Sequence, residues 1–118
     1  MALKLSVKSV NGVTVVYCSG RIVFGEETSE LRERVKEMLA TVKQIVLNLG
    51  GVSYIDSGGL GTLVGLYTSA RSTGGEIKLA NLTQRVRDQL QITKLVTVFE
   101  VFDSEEKAIA SFAERATA

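Results

Sequence analysis

Asp56-Ser57-Gly58-Gly59-Leu60-Gly61 sets a carboxylate beside a hydroxyl where an apolar strand gives way to a helix. The first N–H groups of a helix lack partners within it and their positive end favours anions, so a phosphate on Ser57 would be tolerated. These residues allow a phosphorylation switch. They equally allow a plain helix cap, because Asp and Ser are favoured there on structural grounds alone. Local chemistry leaves both readings open.

Other chemistries fit less well. Asp-Ser-Gly-Gly also surrounds the nucleophile of chymotrypsin-like proteases, but a Ser-His-Asp mechanism needs an imidazole and the chain has no histidine. A serine-lysine variant stays formally open, although nothing places a lysine near Ser57. With no histidine and one cysteine, most zinc sites are excluded too. Gly58, Gly59, Gly61 and Gly65 are not followed by Gly-Lys-Ser or Gly-Lys-Thr, and Val64 interrupts a Gly-x-Gly-x-x-Gly pattern, so no phosphate loop is read here. The expectation is a protein that is not an enzyme, with no catalytic residue, metal or cofactor of its own.

At helical pitch, Gly58, Gly61, Gly65, Ser69 and Ser72 fall on one side, away from Leu63, Tyr67 and Ala70. Each interior glycine costs roughly 1 kcal/mol relative to alanine, so this bare face is expected to receive a closely packed backbone. That backbone belongs either to the same domain or to a docked partner.

The elements that position this stretch follow from periodicity. Leu3 to Ser9 and Val13 to Ser19 alternate in β-branched fashion around Asn11-Gly12, a hairpin turn signal. Residues 20–27 read as a loop, with Thr28 or Ser29 capping a helix whose apolar stripe is Leu31, Val35, Met38, Leu39 and Val42. Ile45 to Leu49 is a nearly continuous apolar run, a central strand covered on both faces, and it feeds Asp56-Ser57 through Val52 to Ile55. A helix is predicted from about Ser57 to Thr73, a strand over Glu76 to Ala80, a helix over Gln84 to Ile92 and a strand over Val96 to Phe102. A closing helix over Ser104 to Ala116 starts from an Asp103–Glu106 capping box and carries the stripe Ile109, Phe112, Ala113 and Ala116. Strands alternating with helices predict an α/β fold: one small domain, residues 1–118, with a mixed, mostly parallel sheet of four to five strands, an N-terminal antiparallel hairpin and about four helices.

Composition narrows the function classes. The 118 residues suit one domain, and 14 Lys plus Arg against 13 Asp plus Glu leave no basic excess for nucleic acid or an anionic membrane. Cys18, the single cysteine, shares a strand face with Val16 and Thr14 and reads as a buried, inert thiol. Between Lys43 and Arg71 the only charge is Asp56, but Gly50, Gly51, Ser53, Ser57, Gly58 and Gly59 interrupt any membrane-spanning helix. A cytoplasmic location is expected, because no apolar secretory run opens the chain.

From Ile45 to Gly61 the chain resembles the phosphorylation-site segment of bacterial anti-sigma factor antagonists, the STAS domain family. Gly74-Gly75-Glu76, Leu79-Ala80-Asn81, Val86, Leu90, Ile92, Leu95, Phe99, Phe102 and the Glu106, Ala108, Phe112 series extend the likeness over most of the chain. The resemblance implies a module that binds a serine-kinase anti-sigma factor when unphosphorylated, is switched off by that kinase at Ser57 and is restored by a serine phosphatase. Its alternative is a non-switching scaffold subunit in a stress-signalling or lipid-transport assembly. The implied docking residues are Phe24, Ile55, Asp56, Gly58, Gly59, Leu60 and Gly61. Two positions depart from the family pattern. Gly58 stands where a Ser or Thr is usual, which is expected to widen access to Ser57 and remove a polar contact. Val23-Phe24-Gly25-Glu26 stands where an acidic residue is frequent. Phosphorylation is expected to weaken docking through charge and desolvation, with little refolding. The sequence leaves the oligomeric state open.

Overall fold

The structure, a computed structural model, describes residues 3–117, with side chains up to residue 113. Strand β1 (Lys4–Val10) turns at Asn11-Gly12, both left-handed at φ 52 and 81, into β2 (Val13–Ile22). That turn suits the twist of an antiparallel pair and is the one the sequence signalled. Helix α1 (Glu26–Leu39), β3 (Gln44–Ile55), α2 (Ser57–Ser72), β4 (Glu76–Ala80), α3 (Gln84–Ile92), β5 (Val101–Phe102) and α4 (Glu105–Thr117) follow. The sheet order is β1-β2-β3-β4-β5, antiparallel at β1/β2 and parallel thereafter. The expected α/β architecture is met, with β1 and β5 as the outer strands.

Alternation along the central strands divides the core between the two faces. Ile45, Leu47 and Leu49 of β3 join Val16 and Cys18 of β2 beneath α1, α2 and α3. Val46 joins Val15, Ala80 and the Ala108, Ile109, Phe112 stripe of α4 on the opposite face. Lys78 is 1 % exposed on that second face, where its ammonium meets Glu100 at 3.2 Å, the Ser111 hydroxyl at 2.6 Å and the Phe112 ring at 4.2 Å. Charge pairing, a hydrogen bond and the ring together offset its desolvation.

Several boundaries differ from expectation. β2 runs on to Ile22 and β3 through Gly50-Gly51 to Ile55, because register shifts at Tyr17/Ser19 and Gly20/Arg21 carry the ladder past the glycines. The expected loop over 20–27 shrinks to Val23, Phe24 and Gly25. Gly25, at φ 122, is the cap of α1, and Thr28 sits inside the helix, its hydroxyl accepting from Gly25 N–H at 3.0 Å. The strand expected over Val96 to Phe102 gives way at its start to a 3-10 turn, Leu95–Thr97, entered through left-handed Lys94, and residues 98–100 are irregular. The turn brings Phe99 edge-on to Tyr67 at 5.4 Å, closing the core beneath α2, and only Val101–Phe102 pairs with β4. At α4 the Ser104 hydroxyl accepts from Lys107 N–H at 3.2 Å, so Ser104 takes the place expected of the Asp103–Glu106 box. Ala113 is exposed, off the predicted stripe, and the Ala116 side chain lies outside the described residues.

Candidate functional site

β2 and β3 end together. Ile22 pairs with Ile55, and Asp56 N–H donates to Ile22 O at 3.3 Å, so Val23-Phe24-Gly25 and Asp56-Ser57-Gly58 leave the sheet side by side. The end of β3 is also held from α3. Gln89 pairs its side-chain amide with both backbone groups of Ile55, accepting from its N–H at 3.3 Å and donating to its carbonyl. The Thr83 hydroxyl reaches Val52 O at 3.3 Å. Buried backbone groups that no strand could serve are thereby satisfied.

At the start of α2 the two polar neighbours have separate tasks. Asp56 is the cap: its Oδ1 accepts from Gly59 N–H at 2.8 Å, a bond of the kind worth about 1 kcal/mol. The same carboxylate accepts from Phe24 N–H through both oxygens, at 3.2 and 3.1 Å. Ser57 occupies the first helical position, exposed, and its hydroxyl makes no hydrogen bond among the described residues. The helix cap is therefore Asp56 and not Ser57.

The glycines differ sharply in their surroundings. A Cβ on Gly59 would lie 2.1 Å from Ile22 O and 2.7 Å from Ile55 Cγ2, so only glycine fits between β2 and α2. A Cβ on Gly58 would lie 2.6 Å from Phe24 Cβ and 3.2 Å from its Cα. Phe24 therefore occupies the space expected to open around Ser57: the missing side chain admits the loop after β2, which corrects the expectation of wider access. Gly61 and Gly65 have no atom within 4 Å of an added Cβ. The close packing expected along this helix face is met within the domain only at its first turn.

Beyond that turn the bare face opens into a groove of about 320 Å³ between α1 and α2, lined by Phe24, Arg32, Lys36, Gly58, Gly61, Thr62, Gly65, Leu66 and Ser69. The Phe24 ring, 78 % exposed, stands at one end. Arg32 leans across to the Thr62 hydroxyl at 3.5 Å, and that hydroxyl donates to Gly58 O at 2.9 Å. Of the docking residues implied by the sequence, Phe24, Asp56, Gly58 and Gly61 gather here around Ser57. Ile55, Gly59 and Leu60 are buried, at 0 % exposure for Ile55: Ile55 lies beneath α2, and Gly59 and Leu60 form the inward side of its first turn rather than exposed surface. Their apolar or small character, read as an interface, is used to seat the helix.

Arg32, Lys36 and Gln89 were not singled out by sequence. The two cations belong to an ordinary solvated helix face by pattern, and only the tertiary approach of α1 to α2 brings them to the groove. Gln89 carries no local signal at all.

The model of the STAS domain matches residues 4–108. An anti-sigma-B factor antagonist of Listeria monocytogenes is 39 % identical over 88 residues, covering 70 % of this chain and 77 % of that one. The crystal structure of an anti-sigma factor antagonist from Mycobacterium paratuberculosis superposes with a TM-score of 0.80 at 22 % identity, over 92 % of both chains. The Bacillus cell fate determinant SpoIIAA, in its phosphorylated form, superposes with a TM-score of 0.71 at 20 % identity, over 92 % of this chain and 99 % of that one.

Proposed function

The chain belongs to the STAS domain family, and from that premise we propose that it is an anti-sigma factor antagonist switched at Ser57. Unphosphorylated, it binds a serine-kinase anti-sigma factor and so frees the sigma factor. In the kinase step the Ser57 Oγ attacks the terminal phosphorus of a nucleoside triphosphate held by the partner. The bond to the bridging oxygen breaks, nucleoside diphosphate leaves, and the hydroxyl proton passes to a base on the partner. A serine phosphatase reverses the change by adding water at phosphorus and releasing inorganic phosphate. The protein supplies no catalytic group, and acts in the cytoplasm.

The observation that carries this reading is the exposed Ser57 hydroxyl, unengaged among the described residues beside a carboxylate that already caps the helix. The open groove with its bare glycine floor supports docking beside it, since Gly61 and Gly65 have room that the domain leaves unfilled. A phosphate brings about −1.5 to −2 charges to this edge, where like charge and desolvation oppose association.

The test is capture from the native cell with wild-type, Ser57→Ala and Ser57→Asp baits, together with mass spectrometry of Ser57. An ATP-binding serine kinase recovered by the alanine bait but not by the aspartate bait is the expected result. Identical partner lists, with no phosphate on Ser57, would overturn the switch in favour of a scaffold role.

A further inference from the structure

We propose that Phe24 is the specificity-determining anchor of the docking surface, that Asp56 and Gly58 are its positioning residues, and that a phosphate on Ser57 acts by unseating it. The proposal deepens the antagonist reading and rests on it.

Phe24 is 78 % exposed, so burial of its ring does not hold it in place. Two other contacts do. Its N–H donates to both oxygens of Asp56, at 3.2 and 3.1 Å, and its Cα and Cβ rest on the bare backbone of Gly58. The residue after Phe24, Gly25 at φ 122, is the cap of α1. An aromatic ring on a backbone so constrained is presented to a partner at little entropic cost, and the partner it fits carries an apolar recess beside the catalytic centre that reaches Ser57. Gly58 and Phe24 form a matched pair. A Ser or Thr at position 58 would put its Cβ 2.6 Å from that of Phe24, so in a chain with a hydroxyl residue there the loop that carries position 24 must shift.

The same carboxylate links the anchor to the switch. Asp56 divides itself between Gly59 N–H and Phe24 N–H, while Ser57 N–H and Gly58 N–H have no acceptor among the described residues. A phosphate on Ser57 takes those free donors and places a second anion next to Asp56. Asp56 keeps the shorter bond to Gly59 and turns from Phe24, whose N–H loses its acceptor. The affinity for the partner then falls through loss of the anchor as well as through charge.

The test uses the whole chain alone, with phosphoserine incorporated at position 57 during translation, read by amide hydrogen exchange and by the nuclear Overhauser contact between Phe24 Hβ and Gly58 Hα. Phosphorylation is expected to abolish that contact and speed exchange at Phe24 by about tenfold, with the amides of β4 and α4 unchanged. Asp56→Ala is expected to release Phe24 without phosphate, and Asp56→Asn, which retains a carbonyl acceptor, to restore most of its protection. A merely structural role for Asp56 would raise exchange throughout α2 instead and would overturn the assignment. A Phe24 contact that persists in the phosphoserine protein, with exchange within about twofold of wild type, overturns the latch and leaves the antagonist reading intact. Release of Phe24 by phosphate in a protein for which the bait experiment finds no kinase supports the latch and sinks the antagonist reading alone.

Discussion

Replacing Gly61 and Gly65 together by alanine separates folding from binding on one face of α2. Both are interior helix positions with no atom within 4 Å of an added Cβ, so the methyl groups enter open space. The gain is then the helix propensity difference of about 0.8–1 kcal/mol each, or about 2 kcal/mol for the pair. For a domain of this size that raises Tm by roughly 8 °C. The same methyls would stand in the way of a partner backbone seated in the groove. Overpacking costs about 1–3 kcal/mol per site, so affinity for the kinase recovered by the Ser57→Ala bait should fall at least tenfold, 1.4 kcal/mol being about one decade. Thermal unfolding and titration calorimetry on the same samples read both effects. Gly59→Ala is the internal contrast, because its Cβ would meet backbone at 2.1 Å and must destabilise. A double variant that is more stable yet binds within about twofold of wild type would refute the docking role of this face. One that is no more stable would refute the account of its open space.

Gln89→Ala removes both partners of the buried Ile55 backbone and should cost about 1–3 kcal/mol in denaturant unfolding, with Gln89→Glu recovering less than half. Burial pushes the Cys18 thiol from 9.0 up to about 12, so across that interval the folded chain keeps a proton the unfolded chain releases. Stability from this group is complete below pH 9 and declines as pH rises towards 12, by about 1.4 kcal/mol per unit. Cys18→Ala should flatten that part of the stability profile relative to wild type.

Much of the framework was legible because periodicity and turn chemistry agreed. Asn11-Gly12 announced the hairpin, the Ile45 to Leu49 run the central strand, and Leu63 and Ala70 the buried side of α2. The strand expected over Val96 to Phe102 failed because alternating valines there serve a turn that swings Phe99 under α2. At the site, the Asp-Ser pair was visible but its division of tasks was not. Which of the two caps depends on where the loop after β2 returns, and that is fixed by pairing between Ile22 and Ile55, residues far apart in sequence. Gly58 follows the same logic: an absent side chain reads as space in a sequence, and here Phe24 fills it. Ile55, Gly59 and Leu60 sit close to the groove-lining Gly58 and Gly61 in sequence yet face inward, because helical and strand geometry turns consecutive residues to different sides.

The sheet's two borders also bear on how the protein behaves when crowded. Unpaired strand margins are templates for polymerisation between copies, and natural sheets blunt them by brevity or by charge. β5 supplies a rung of only two residues, and β1 carries exposed Lys4 and Lys8 along its outer rim. Copies approaching rim to rim bring like charges together, so concentrated solutions resist ribbon growth and fibrillation along this margin.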